Sequence, residues 1–279
     1  RLGKMRVVIK VGTSTLTHKT GNLNIRHIES LCRVLSDLKN AGHEMVLVSS
    51  GAVSAGVARL GVKRPTCTRE KQAMAAIGQS ELMKIYDRFF SDYGHTVAQI
   101  LMTKDVLTNP IRRTAAENTF RRLLEMRCIP IVNENDSVST DELTKFGGND
   151  ILSAYVALLS RADLLLNLSD VDGLYDADPR SNPDAKLIDR VETLDDAIYA
   201  IAGGAGTSRG TGGMIAKLNA AKCVCVVGQV SASQDLCTGS LRASWQCLYY
   251  SSSISSLLLP IAIVGNRAMA LRDMAYVCL

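Results

Sequence analysis

A chain of 279 residues with 47% apolar and 21% charged side chains can build one large α/β domain or two smaller ones, which excludes disorder as its main state. The formal charge of +5 is small, and four Phe with one Trp leave few rings to stack on bases, so nucleic-acid binding is not expected. Eight scattered cysteines, of which only Cys223 and Cys225 lie close together, and four scattered histidines form no disulfide framework and no protein-held metal site; a reduced, cytoplasmic protein is expected.

The N-terminal RLGKMRVVIKV lacks the long apolar core of a signal peptide, and Arg6 to Val11 is predicted as the first strand. It delivers Lys10 and then Gly12-Thr13-Ser14. Ile25, Ile28, Leu31, Leu35 and Leu38 then step at helical intervals. The second strand, Met45 to Val48, runs into SSGAVSAG (Ser49 to Gly56), where glycines let backbone amides approach an anion and the next helix adds a partial positive charge. Taken alone, SSG before a helix is also an ordinary cap and turn. Met74, Ile77, Leu82, Ile85 and Phe89 mark another helix, and Val97 to Met102 a third strand. Arg112-Arg113 with Arg121-Arg122 reads as a solvated helix face.

The fourth strand, Ile129 to Val132, delivers NEND (Asn133 to Asp136), with FGGND (Phe146 to Asp150) shortly after it. The fifth, Leu164 to Leu168, delivers Ser169-Asp170 and VDGLYDADP. DVDGLYDAD is not a calcium loop, because its glycine is fourth rather than sixth and no glutamate follows at the required distance. Thr193 followed by Asp196 suggests a capped helix through Ala202. GTGGMIAK (Gly210 to Lys217) opens a further helix; it lacks the GK-Ser/Thr of a P-loop, and is either another kind of phosphate cradle or a linker with an incidental lysine. From Cys223 onward the composition changes, with five charged residues, no lysine and five of the eight cysteines. LLLPIAIV in this part, broken by Pro260, is too short for a membrane span.

Continuously apolar strands alternating with helices predict an open, mostly parallel sheet covered on both faces, whose ligands bind beyond the carboxyl ends of the strands. At that edge the chain presents a lysine, two glycine-rich turns and several carboxylates. NEND and GGND together supply anionic or carbonyl acceptors for an ammonium and amide donors for a carboxylate, as a small zwitterion requires.

KVGTS (Lys10 to Ser14), SSGAVSAG, NEND, GGND (Gly147 to Asp150), SDVDGLYDADPR (Ser169 to Arg180) and GTGGMIAKLNAAK (Gly210 to Lys222) occur in that order, and from about Met5 to about Gly228 the chain resembles the amino acid kinase family. NEND followed by the ND pair is similar to its glutamate kinases rather than to those acting on acetylglutamate, aspartate, carbamate or uridylate. The resemblance implies an α/β fold, a three-layer αβα sandwich with a mostly parallel central sheet. It implies transfer of the γ-phosphoryl group of ATP to the side-chain carboxylate of L-glutamate, the first step toward proline.

By the same resemblance, Lys10, Asp150 and Lys217 form the catalytic set, with Asp150 orienting the two lysines. Ser50, Gly51, Asp136 and Asn149 bind glutamate, with Asp136 facing the ammonium. Lys10, Gly12, Ser169, Asp170, Gly210, Thr211, Gly212, Gly213, Met214 and Lys217 hold the nucleotide. Mg²⁺ is expected to arrive with ATP, proline to act as a feedback inhibitor near the glutamate pocket, and the chain to form dimers or tetramers without membrane partners.

The expected organisation is a kinase domain over residues 1–228 and an atypical segment over 229–279, which either completes the same domain or departs from it, with no recognisable RNA-binding-like PUA domain. A change of reading frame near Gly228 and a divergent lineage both account for that tail. Gly148 stands where relatives often carry an acidic residue. Two rival readings remain beside the kinase: a non-catalytic glutamate- or proline-binding module with an incomplete nucleotide site, and a sister kinase acting on another small acid.

Overall fold

The computed structural model describes residues 3–139, 148–169, 173–179, 181–188, 191, 194–202, 213–232, 245–247 and 259–264. In chain order the elements are β1 (Arg6–Val11), α1 (Thr13–Leu16), α2 (Ile25–Asn40), β2 (Glu44–Ser49), α3 (Ala52–Leu60), α4 (Thr68–Asp92), β3 (Val97–Met102), α5 (Asp105–Thr108) and α6 (Pro110–Glu125). They continue with β4 (Ile129–Glu134), α7 (Asn149–Leu159), β5 (Leu164–Ser169), α8 (Asp196–Ile201), α9 (Met214–Ala232), β6 (Trp245–Cys247) and β7 (Leu259–Val264).

The strands form one sheet in the order β3-β4-β2-β1-β5-β7-β6. The first five in that order run parallel, while β7 pairs antiparallel with β5 and β6 antiparallel with β7. The last six residues of LLLPIAIV therefore supply a strand, with Pro260 opposite Leu168. No described helix is long and apolar enough to cross a membrane.

Because strand side chains alternate, the sheet divides its apolar residues between two cores. Val7, Ile9, Met45, Leu47, Ile129 and Ile131 pack on one face against α2, α3 and α4, through Ile28, Leu35, Ala52, Leu82 and Phe90. Val8, Val46, Val48, Val132 and Leu165 pack on the other against α6, α7 and α9, through Phe120, Leu124, Leu152, Val156 and Leu218. This is the expected αβα sandwich. Local signals start its helices: the Asn24 side chain accepts from His27 N, and Asn109 caps α6 with Pro110 in its first turn.

α3 and α4 approach so closely that only glycine fits between them. A Cβ on Gly56 would lie 2.0 Å from Met74 O, and one on Gly78 would lie 1.7 Å from Ala52 O. The contact pins the start of α3, and with it the turn after β2, against the middle of a 25-residue helix.

Three details depart from the sequence reading. β3 is not covered on both faces: it is the sheet edge, and Leu101 is 38% exposed. β4 extends through Glu134, so Asn133 and Glu134 belong to the strand rather than to the turn, since β4 remains paired with β3 that far. Asp195 caps α8, its carboxylate accepting from Ile198 N at 3.0 Å; the Thr193 expected for this task lies outside the described residues. The arginines of α6 are exposed and engage neighbouring carboxylates, Arg112 with Asp105 and Arg113 with Glu117.

Candidate active site

Parallel pairing of β1 with β5 sets Lys10 directly opposite Asn167, both on the face covered by α7 and α9. α7 begins at Asn149, so Asp150 sits in its first turn, where a negative charge is favoured by the helix dipole. α9 begins at Met214 and carries Lys217 in its first turn. These three elements deliver one cluster. Lys10 Nζ lies 2.8 Å from Asp150 Oδ1, and Lys217 Nζ lies 3.9 Å from Asp150 Oδ2. Asn167 Nδ2 donates to the same Oδ1 at 2.7 Å.

All four side chains are buried, Asn167 completely. Burial pushes the Asp150 carboxyl upward, but the ammonium of Lys10, then that of Lys217, and the hydrogen bonds from Lys10 and Asn167 outweigh it and hold the group below the usual carboxylate range. Asp150 is therefore an anion set between two cations. Gly12 follows beside it, and a Cβ there would stand 3.5 Å from Lys10 Nζ.

One residue before Asp150, Asn149 belongs to a different assembly. Its amide donates to Ser49 O at 3.1 Å, to Ser50 Oγ at 2.8 Å and to Asn133 Oδ1 at 3.0 Å. Asn133 in turn donates to Gln79 Oε1 of α4 at 2.9 Å, and its own oxygen also accepts from Glu134 N. Ser49 Oγ bonds the buried Tyr86 hydroxyl at 2.8 Å. A chain of amides and hydroxyls thus ties the ends of β2 and β4 to α4 and α7.

This network floors a cavity of about 500 Å³, lined by Thr13, Ser50, Gly51, Asp136 and Asn149, with Arg64 and Lys71 on its outer, exposed side. Gly51 has φ 99° at the N-cap of α3, a left-handed conformation that admits glycine most readily, and it turns the backbone toward the cavity. Gly148, the N-cap of α7, has φ 111° and ψ 166°, a region essentially reserved for glycine. An acidic side chain at this position would require a different backbone. Arg64 donates to Ser54 Oγ at 3.2 Å, and Gln72 donates to Ser139 O at 3.2 Å, fastening the α4 side of the cavity to the segment after β4.

The structure brings Lys10, Asp150 and Lys217 together and gathers Ser50, Gly51, Asp136 and Asn149 around one cavity. Ser169 is buried at the end of β5, and Gly213 and Met214 open α9. Asp170, Gly210, Thr211 and Gly212 lie outside the described residues. Sequence reasoning missed Asn167, Gln79, Arg64 and Lys71. Asn167 carried a signal, being the one polar residue inside LLLNL, whereas Gln79 looks like any surface residue of a long helix. Among the described residues no group of three or more His, Cys, Asp or Glu side chains could hold a metal ion.

Residues 5–232 match the model of the amino acid kinase family. A glutamate 5-kinase of Clostridium perfringens is 54% identical over 221 residues, 78% of this chain and 82% of that protein. A glutamate 5-kinase of Listeria innocua is 53% identical over 220 residues, 77% of this chain and 80% of that protein. Among solved structures, UMP kinase from Ureaplasma parvum aligns with a TM-score of 0.49 and 16% identity over 72% of this chain and 86% of that one.

Proposed function

The chain belongs to the amino acid kinase family, and on that premise we propose that it phosphorylates the side-chain carboxylate of L-glutamate with ATP, giving L-glutamyl 5-phosphate, the first step of proline biosynthesis. The observation that carries this reading is the adjacency of Asn149 and Asp150: one turn of α7 reaches both a cavity of zwitterion character and a buried pair of lysines.

A glutamate side chain, with a reference pKa of about 4.3, is already ionised near neutral pH, so the nucleophile needs no general base. The obstacle is electrostatic, because an anion must approach a polyanion. In this reading glutamate lies in the cavity with its ammonium toward Asp136 and its side-chain carboxylate toward Ser50, Gly51 and Asn149. Lys10 and Lys217 neutralise charge on the transferring phosphoryl oxygens, and Asp150 holds both lysines on one centre.

Gly12 leaves room beside Lys10 for a phosphate, while Ser169, Asp170 and the Gly210 to Met214 loop hold the rest of the nucleotide. A Mg²⁺ ion carried by the ATP phosphates would reduce their charge. The γ-phosphorus–oxygen bond to ADP breaks as a bond to the glutamate oxygen forms, with no proton transferred.

Proline, which shares an ammonium and a carboxylate with glutamate, competes at the same cavity in this reading. In this reading the protein acts in the cytoplasm as a dimer or tetramer, and β7, paired with β5, extends the sheet of the kinase domain.

The test is a glutamate-dependent hydroxamate assay, in which hydroxylamine traps the acyl phosphate formed from ATP. Wild-type protein is expected to give product, and Lys10→Ala or Asp150→Ala to abolish it. Product persisting in both variants defeats the site assignment. Turnover with aspartate or acetylglutamate but not glutamate identifies a sister kinase, and binding without turnover identifies a ligand-binding module.

A further inference from the structure

We propose that Asn167 is a positioning residue for phosphoryl transfer: its amide fixes the Asp150 carboxylate so that one oxygen addresses Lys10 and the other Lys217. The inference rests on the kinase reading above. The side-chain torsion that turns an aspartate carboxylate is broad, so Asp150 alone could rotate and close on one lysine with both oxygens. Asn167 prevents this. Its strand is paired on both sides, with β1 and with β7, which fixes its Cα between two neighbours.

From that anchor Nδ2 donates to Oδ1 at 2.7 Å, beside Lys10 Nζ at 2.8 Å on the same oxygen. Oδ1 thereby fills both its acceptor directions, and Oδ2 is left toward Lys217. The amide orientation is unambiguous, since the reverse would set a carbonyl oxygen against a carboxylate. The charged groups facing Asp150 are Lys10 from β1 and Lys217 from α9; Asn167, from β5, is neutral.

Asn167 also carries a cost that a purely structural residue would not. Its Oδ1 is buried without a hydrogen-bond partner, on the face of β5 that carries the buried Leu165, while Leu166 and Leu168 point to the other face. Leucine has a similar volume and no carbonyl to orphan. What leucine cannot supply is the N–H on Asp150.

The experiment compares wild type with Asn167→Leu and Asn167→Ser, reading glutamate-dependent hydroxamate formation, thermal unfolding, and the carboxyl carbon titration of Asp150 by NMR. Asn167→Leu is expected to unfold somewhat earlier than wild type yet stay folded under assay conditions, because loss of the donor to the buried Asp150 carboxylate is partly offset by removal of a buried unsatisfied oxygen. It is expected to lose on the order of 10- to 100-fold in kcat with KM values for glutamate and ATP nearly unchanged, since binding groups stay while the lysines lose registry. The Asp150 titration should move to higher pH in both variants, because the amide that reaches its Oδ1 at 2.7 Å is gone.

If Asn167→Leu does not fold, Asn167→Ser, smaller and polar, carries the same comparison. A folded variant with wild-type kcat overturns the proposal, as does a fall in kcat with an unmoved Asp150 titration, which marks a merely structural role. Absence of hydroxamate from wild-type protein indicts the kinase reading instead, and the carboxyl titration then decides the orienting role of Asn167 by itself.

Discussion

The lysine–aspartate cluster and the cavity beside it hang from consecutive residues of one helical turn, yet they are built in opposite ways. Lys10, Asp150, Lys217 and Asn167 are all at least nine-tenths buried, three of them charged, on the face packed by α7 and α9. The cavity is floored by neutral amides and hydroxyls, carries the carboxylates of Glu134 and Asp136 in its wall, and opens past the exposed Arg64 and Lys71. Charges taken out of water interact strongly but must be held in fixed, mutually satisfying geometry. A pocket that exchanges a small substrate can be open, because uncharged hydrogen bonds define its shape at lower desolvation cost. The cluster is thus the rigid half of the site and the cavity the exchangeable half.

The hardest way to break the contrast is to empty the centre of the cluster. Asp150→Ala leaves two buried ammonium groups facing one another, and removal of one partner from a buried ion pair costs about 3–5 kcal/mol. Urea unfolding at neutral pH should show that loss together with abolished hydroxamate formation. A smaller midpoint shift, of the size seen for surface charges, would mean that water reaches the cluster.

The corresponding blow to the cavity is Gly78→Ala, which places a methyl group 1.7 Å from the Ala52 carbonyl and pushes α3 off α4. Overpacking of this kind costs about 1–3 kcal/mol or somewhat more. Because α3 begins at the cavity wall, KM for glutamate should rise more than KM for ATP. Equal effects on both would show that the two halves do not separate.

A milder probe is acid. The folded pKa of Asp150 lies below its unfolded value of about 3.9, so its stabilisation is fully present above that value and disappears as pH falls through the folded one. Wild-type unfolding free energy should therefore drop on acidification below about pH 4, and the drop should be shallower in Asp150→Asn. Parallel curves for the two proteins would remove Asp150 from the list of acid-sensitive groups.

The smallest effect is expected at the rim. Lys71→Gln should raise KM for glutamate a few-fold at low salt, and the difference should shrink toward about 0.5 M salt, where exposed charges are screened. An effect that persists at high salt would move Lys71 from attracting the substrate to touching it.

Much of this arrangement is readable along the chain. Five parallel strands announce themselves as short apolar runs, and Lys10 near the end of β1, Ser50 just after β2 and Asp136 just after β4 are among the residues the fold gathers, with Asn149 brought to them by the start of α7. β3 misled because an edge strand on a sheet this apolar has the same composition as an internal one; Leu101 looks buried and is not. The extension of β4 into NEND was hidden for a related reason, since Asn133 and Glu134 are types depleted in strands and are held in this one by pairing with β3. Gln79 gave no sign, because the period of α4 does not say what stands opposite each position.

What the chain decided alone is the set of elements, the apolar stripes that pack them, and the kinds of group placed at strand ends, because these follow from periodicity and turn chemistry within a few neighbouring residues. Tertiary structure decided which groups share an atom. Lys10 and Asn167 meet on one carboxylate oxygen because β1 and β5 pair in one register, and Gly56 and Gly78 matter because two helices touch there. Such meetings are settled by packing between segments far apart in the chain, where a shift of one residue would send a side chain to the other face of the sheet.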